Sequence, residues 1–458
     1  MSRAREGDGV PPSSDAAGDT ELRRAIRLPH ATAMVVGTII GASIFVQPSE
    51  ITGHVPSVSG IFLVWAIAGA LTLAGALVCA ELTSAFPNSG GVYVFLREAF
   101  GGPLAFLWGW AMLWTMHSGI IAAIAVVFGR YASFFLPIGD AGARALSIAV
   151  ILVLSAVNMA GVRHGSVLQT MFTAGKLLVV VLIVIVGFAL GGAAPGGALR
   201  AGALTAHAPI ALRDFALAVA AGLFAFGGWH MVTYTAGETT DARRTIPRAL
   251  AIGTLIVTVS YIALNAVYLY ILPLETVAAS TRIAADAADA VLGSGGGAGM
   301  AALVVFSTFG ALAGIILAGP RVYYAMAHDG LIFRWLGAVH PVRRTPDRAI
   351  LLQAIWSSIL VATGTYRALF TRVIYTEWIF FGLMATGLLL LRRRADYAPS
   401  YRIPGFPFVP LLFAIAAFAI AINQVASEPR ASLTGLAMVV AGWPIYVIWV
   451  HLSRQEKT

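Results

Sequence analysis

Apolar residues fall along this chain in blocks of roughly 17 to 25, the length a helix needs to cross a bilayer, with short polar connections between them. Twelve blocks are expected as spanning helices, near residues 31–54, 61–85, 103–135, 145–161, 167–190, 212–237, 248–272, 298–327, 348–364, 369–391, 407–425 and 432–452. An even number of spans leaves both termini on one side. Three connections carry a helical period of their own, at residues 90–100, 276–292 and 331–340, and are expected as short helices lying at the membrane surface. Residues 1–24 hold Ser, Gly, Pro and charge without an apolar block, and are expected as a disordered tail with no cleavable signal.

Two blocks are interrupted by small residues. Gly37-Thr38-Ile39-Ile40-Gly41-Ala42-Ser43-Ile44-Phe45 lies in the first, and Phe224-Ala225-Phe226-Gly227-Gly228-Trp229 lies in the middle of the sixth. At bilayer depth every backbone N–H and C=O needs a partner, so a weakened helix survives only where it lines protein or a water-filled cavity. Close packing of two helices explains the first stretch equally well when it stands alone. Its counterpart five spans later changes the balance, because Gly-interrupted segments at matching positions point to an inverted-repeat transporter with its site where the broken helices meet. The expected fold is an all-α membrane protein of twelve helices, a five-plus-five inverted repeat with discontinuous helices 1 and 6. The first repeat is placed at residues 25–192, the second at 210–392, and helices 11 and 12 with a cytoplasmic tail at 403–458.

Composition agrees: 59% of residues are hydrophobic and 11% charged, against about a quarter charged in soluble domains. The formal net charge of +9 does not indicate nucleic acid, because the arginines cluster at span ends. Arg23, Arg24 and Arg27 precede the first span, and Arg97, Arg163, Arg243, Arg244, Arg334, Arg343, Arg344, Arg392, Arg393 and Arg394 fill alternate connections. The intervening connections are poorer in arginine, which places both termini in the cytoplasm of a multi-pass protein in a cytoplasmic membrane. Cys79 is the single cysteine, so neither an internal disulfide nor a cysteine-rich metal site can form. No nucleotide loop, zinc signature, nucleophile elbow or carboxylate pair appears, so no cofactor, metal or enzyme activity is expected. The run Gly293-Ser294-Gly295-Gly296-Gly297 lacks the Lys-Ser/Thr of a phosphate loop and reads as a linker.

A broken helix presents unpaired N–H groups where one half starts and unpaired C=O groups where the other ends. The first suit a carboxylate and the second an ammonium, so two facing breaks fit the head of a free amino acid. Neither stretch contains Asp, Glu, Lys or Arg, which favours a head group without net charge. Lys176 stands inside the fifth span, and the only other lysine is Lys457. An ionisable residue in a span is a functional candidate; the alternative is a lysine snorkelling to water. Glu377, early in the tenth span, is read either as a proton-binding carboxylate or as the partner of an arginine such as Arg372. Glu81 is expected to fix its neighbouring loop. His117 and His230 titrate near neutrality when exposed and otherwise serve as hydrogen-bonding walls, while Phe224 and Trp229 sit where they can close over a solute.

These residues resemble the L-type branch of the amino acid–polyamine–organocation transporter superfamily. The first-helix stretch, Ala80-Glu81-Leu82 with Pro87-Asn88-Ser89-Gly90-Gly91-Val92-Tyr93, and Gly222 to Trp229 with Glu238 and Arg244-Thr245-Ile246-Pro247 carry the resemblance, which continues through Arg321, His340-Pro341 and Pro346. The resemblance implies alternating access and sodium-independent exchange of small or medium neutral amino acids. It implies that N–H groups around Gly41, Ala42, Ser43 and Ile44 hold the carboxylate, and that carbonyls of Ile39, Phe224 and Gly227 hold the ammonium. Phe224 is implied as a gate, and Phe226, Gly228, Trp229 and His117 are assigned with it to the gate and side-chain pocket. Lys176 is implied to stand in for the sodium of related transporters, and Glu377 is the second coupling candidate.

Three departures stand out. Ser43 occupies a position usually held by glycine, where a positive φ would strain a serine. Gly310-Ala311-Leu312-Ala313-Gly314 offers Lys176 no hydroxyl, leaving Ser307 and Thr308 nearest. Residues 131–143 lack the cysteine through which animal members bridge an accessory glycoprotein, so no disulfide-linked heavy chain is expected. The partners expected are an amino acid and the lipid bilayer. The rival readings are a proton-coupled importer of amino acids or amines, and an amino acid sensor that does not transport.

Overall fold

The computed structural model describes residues 22–41, 43–193, 197–199, 209–293, 296–364 and 375–455. Every regular element among them is a helix, and one isolated bridge pairs Ile26 with Thr239. Among the described residues, nine helices are long and apolar enough to cross a membrane: Val58–Ala85, Gly102–Ala132, Gly139–Ala160, Val162–Leu190, Leu212–Glu238, Ala242–Ile271, Ala298–His328, Phe408–Ser427 and Pro429–His451. They match nine of the twelve apolar blocks. The other three are the broken first block, the helix Asp347–Thr363 and the helix Thr376–Leu391. The start of the predicted tenth span, the tail through residue 21 and part of the Gly-rich linker lie outside the described residues.

Both interrupted blocks are broken where the glycines fall. In the first, α1 (Leu28–Ile39) ends, a 3₁₀ turn covers Ser43–Phe45, and α2 (Gln47–His54) begins. In the sixth, α3 (Leu212–Ala225) stops and a 3₁₀ segment, Trp229–Glu238, follows. Gly228 between them takes a φ of +98°, and a Cβ there would lie 3.0 Å from the Thr38 carbonyl oxygen, so the position requires glycine on both counts. The two breaks touch directly. The Thr38 hydroxyl lies 3.1 Å from the Gly228 carbonyl, and Gly37 lets Val162–Leu190 approach, since a Cβ on it would come within 2.2 Å of Gln169 and Thr173.

The surface helices differ in part from expectation. Val92–Phe100 forms as expected. Residues 276–292 make two helices, Leu274–Ala279 and Ile283–Leu292, because the Ser280 hydroxyl accepts from Arg282 N–H at 3.1 Å and donates to Asp286 at 2.6 Å, restarting the chain. Residues 331–340 form only the 3₁₀ turn Arg334–Gly337, with Phe333 extended in front of it. Gly330, at φ +71°, ends the preceding helix, and only six residues separate it from Gly337.

Leu22 and Arg24 share a pocket with Asn88 and Asp329, and the Trp449 indole donates to the Gly330 carbonyl at 2.8 Å. The described ends of the chain therefore lie on one face. Buried Glu81 fixes the connection after Thr376–Leu391, accepting from Arg392 at 2.7 and 2.5 Å and from the Ile403 N–H at 2.7 Å. On the same face Tyr93 donates to Asp329 at 2.7 Å, and Arg97 pairs with that carboxylate. Burial, and then the Asp329 charge, hold the Tyr93 phenol above its usual range, so it remains the donor.

Candidate functional site

The C-terminus of α1 dictates the local chemistry, because its last carbonyls have no partner within the helix. Side chains from three other helices supply donors. Lys176, from Val162–Leu190, donates to the Gly37 carbonyl at 3.0 Å and the Ile40 carbonyl at 2.7 Å. Ser307 donates to the Gly41 carbonyl at 3.3 Å. The Tyr261 hydroxyl lies 3.1 Å from the Ile39 carbonyl and 3.0 Å from that of Ala225, so one phenol ties the two breaks together. The Lys176 side chain is 2% exposed and points inward, which removes the snorkelling alternative. A cation there also complements the negative end of α1. Thr308 bonds back to its own helix, at Val304.

A cavity of about 290 Å³ opens between the breaks. Thr38, Ile39, Gly41, Ser43, Gly227 and Gly228 form its backbone-rich wall. Beyond Gly41 there is free space, the nearest atom to a Cβ on it being the Ile39 carbonyl oxygen at 4.0 Å, whereas a Cβ on Gly227 would meet the Phe224 carbonyl oxygen at 3.3 Å. The first N–H groups of the 3₁₀ turn Ser43–Phe45 have no acceptor within the turn itself. Ser43 does not have a positive φ, so serine sits there without left-handed strain, and its hydroxyl approaches the Ala225 carbonyl at 3.5 Å. Ala42 lies outside the described residues.

The remaining predicted site residues separate into two groups. Phe224, 46% exposed, lines the cavity with His117, Trp229 and Glu377. The His117 Nε2 is 2.9 Å from the Ile315 carbonyl, and Trp229 packs against Phe381 with ring centroids 5.1 Å apart. Glu377 lies 3.7 Å from His230 Nε2; its other proposed partner, Arg372, is outside the described residues. Ile44 and Phe226 are buried and do not line the cavity. Phe226 packs on Trp65 and Tyr261, because two residues along a helix, at about 100° each, carry it to the side opposite Phe224. Lys176 also stands behind the wall, reaching the site only through the α1 carbonyls. A larger cavity of about 530 Å³ lies near Val186, Tyr268 and Ala287, but no charged side chain lines it.

Sequence reasoning missed Tyr261. Its signal was a hydroxyl at mid-depth in an apolar span, shared with several of the chain's 13 tyrosines. Tyr261→Phe is expected to leave the two carbonyls short of a donor. An unsatisfied buried polar group costs about 1–3 kcal/mol, roughly 5- to 150-fold. We expect a loss of transport in that range in reconstituted vesicles, with a lower melting temperature of the purified protein.

Residues 26–450 match the family described as "Amino acid permease". The chain is similar to the large neutral amino acids transporter small subunit 2 of Oryctolagus cuniculus, 31% identical over 99% of this chain and 85% of the relative. It is similar to the serine/threonine exchanger SteT of Bacillus subtilis (strain 168), at 30% over 93% of this chain and 97% of the relative. It is also similar to the human b(0,+)-type amino acid transporter 1, at 30% over 94% and 89%.

Proposed function

The chain belongs to the amino acid permease family, and from that membership we propose that it exchanges small or medium neutral L-amino acids by alternating access, independently of sodium. The observation that carries this reading is the cavity between two helix breaks, walled by backbone polar groups with no charged side chain at either break. N–H groups of the segment Gly41, Ala42, Ser43 and Ile44 hold the carboxylate. Carbonyls of Ile39, Phe224 and Gly227 hold the ammonium, Ile39 using the lone pair that Tyr261 leaves. Phe224 gates the cavity, and Gly228, Trp229 and His117 shape its side-chain end. Phe226 supports this wall from behind. Lys176 acts as the fixed internal cation, which makes a sodium ion at the same carbonyls redundant.

Residues 25–192 and 210–392 form the inverted repeats, with 403–458 outside them. The arginine distribution supports both termini being cytoplasmic. On that orientation Glu238–Arg321 and Arg97–Asp329 close the cytoplasmic side, and the cavity, with Phe224 exposed, faces outward. Cys79 is buried, which supports a chain that works without a disulfide-linked partner.

The test is counterflow in proteoliposomes. Uptake is expected to require amino acid on the opposite side and to be unchanged when sodium is replaced by potassium. Accumulation driven by a sodium gradient alone overturns the proposal.

A further inference from the structure

Glu377 is the only acidic side chain on the cavity wall among the described residues, and no lysine or arginine lines the cavity with it. It comes from the first turn of Thr376–Leu391, whose Phe381 and Trp378 line the same wall. Its depth is fixed by His230, which follows Gly228 by two residues and lies 3.7 Å from its Oε1. No described side chain donates a hydrogen bond to the carboxylate.

His230 is 1% exposed and enclosed by the rings of Trp108, Trp229, Tyr234 and Phe381, and neither of its ring nitrogens has a hydrogen-bond partner. The imidazole backs the carboxylate from inside the protein, and of the hydroxyls and amide that share the cavity wall, Thr38, Ser43 and Gln47, none donates to Glu377. Lys176 cannot supply one, since its ammonium is engaged behind α1. His117, on the same cavity wall, is turned to the Ile315 carbonyl. A carboxylate carries acceptor oxygens only. An occupant that excludes water from this wall must therefore either bring a donor or leave those oxygens unpaired.

We infer that Glu377, seated on His230, selects amino acids whose side chain ends in a hydrogen-bond donor, a hydroxyl within the neutral class or, beyond that class, an ammonium, over apolar side chains of the same size. This rests on the exchange reading of the same cavity and names its substrate class. A site built to pair with a polar group rejects an analogue lacking that group far more strongly than an apolar pocket rejects a change of one methylene.

Isosteric pairs test it. Proteoliposomes holding the full chain are loaded with labelled L-amino acids, and efflux is measured with an external partner: serine against 2-aminobutyrate, and homoserine or 2,4-diaminobutyrate against norvaline. The donor-bearing member is expected to drive efflux at least about tenfold better. The serine and homoserine arms report a hydroxyl, and the diaminobutyrate arm an ammonium. In Glu377→Met the ratio within each pair should fall towards one, whatever the overall rate; Glu377→Gln, which keeps one acceptor oxygen, should retain preference for the hydroxyl only. Equal efflux within each pair in the wild type overturns the inference, as does an equal loss for all substrates in Glu377→Met. If no external amino acid stimulates efflux from the wild type, the exchange reading itself fails, a separate result.

Discussion

Lys176→Met is expected to reduce exchange at least about tenfold while the protein remains folded and inserted. The ammonium donates to two carbonyls, Gly37 and Ile40, that close the C-terminal end of α1. Each buried carbonyl left without a donor costs about 1–3 kcal/mol, and about 1.4 kcal/mol is already tenfold. The loss falls at the hinge between α1 and the Ser43–Phe45 turn, so it misplaces the site before it threatens the bundle. Methionine keeps most of the stem's volume, which matters because the stem runs through a narrow passage: a Cβ on Gly310 would lie 3.0 Å from Lys176 Cε and 2.7 Å from Phe172 Cβ. Lys176→Arg is expected to fail as well, because a planar guanidinium needs more room than that passage gives and presents its donors in a different geometry. Exchange in vesicles read beside the melting temperature separates the two effects. Wild-type rates in either variant remove Lys176 from the mechanism.

Much of this architecture is legible from one sequence, for reasons that particular residues make plain. Glycines inside apolar blocks are conspicuous, and both breaks formed where Gly41 and Gly227-Gly228 announced them. Lys176 stood out because lysine is nearly absent elsewhere, and its buried position agrees with the prominence it was given. Direction was left unread. Phe226 was grouped with Phe224, although both precede the break and a helix turning about 100° per residue sends side chains two apart to opposite sides. Tyr261 escaped notice because its role depends on carbonyls at Ile39 and Ala225, far from it in sequence. Glu377 was read either as a proton-binding carboxylate or as the partner of an arginine such as Arg372, which lies outside the described residues. Only the folded chain brings His230 beside it, on a cavity that no described arginine lines.

Removing one partner of the Glu238–Arg321 pair is expected to have the second large effect, on stability. Both side chains are fully buried; the guanidinium meets the carboxylate at 2.6 and 2.8 Å, and its third contact is the Leu317 carbonyl at 2.5 Å. Breaking a buried pair from one side leaves an uncompensated charge, at about 3–5 kcal/mol, whereas replacing both groups with apolar ones of similar volume is often nearly neutral. Glu238→Leu alone should therefore melt well below wild type, and Glu238→Leu with Arg321→Met should recover most of the difference. Recovery of stability need not bring recovery of exchange. The Glu238 carbonyl accepts from the N–H groups of Ala25 and Ile26, and Thr240 N–H donates back to Ile26, so the ion pair sits where the approach to α1 is tied to the end of the Trp229–Glu238 segment. In the proposed alternating-access cycle these ties must open as the cavity turns to the opposite side of the membrane. A pair that is strong when dry and weak once water enters is suited to such a contact, because hydration of the separated charges offsets the loss of their attraction. The double variant lacks that compensation on opening, and its exchange is expected to be slower than wild type despite a similar melting temperature. A single variant that melts with the wild type removes the pair's structural role, and a stable double variant with wild-type exchange removes its part in the cycle.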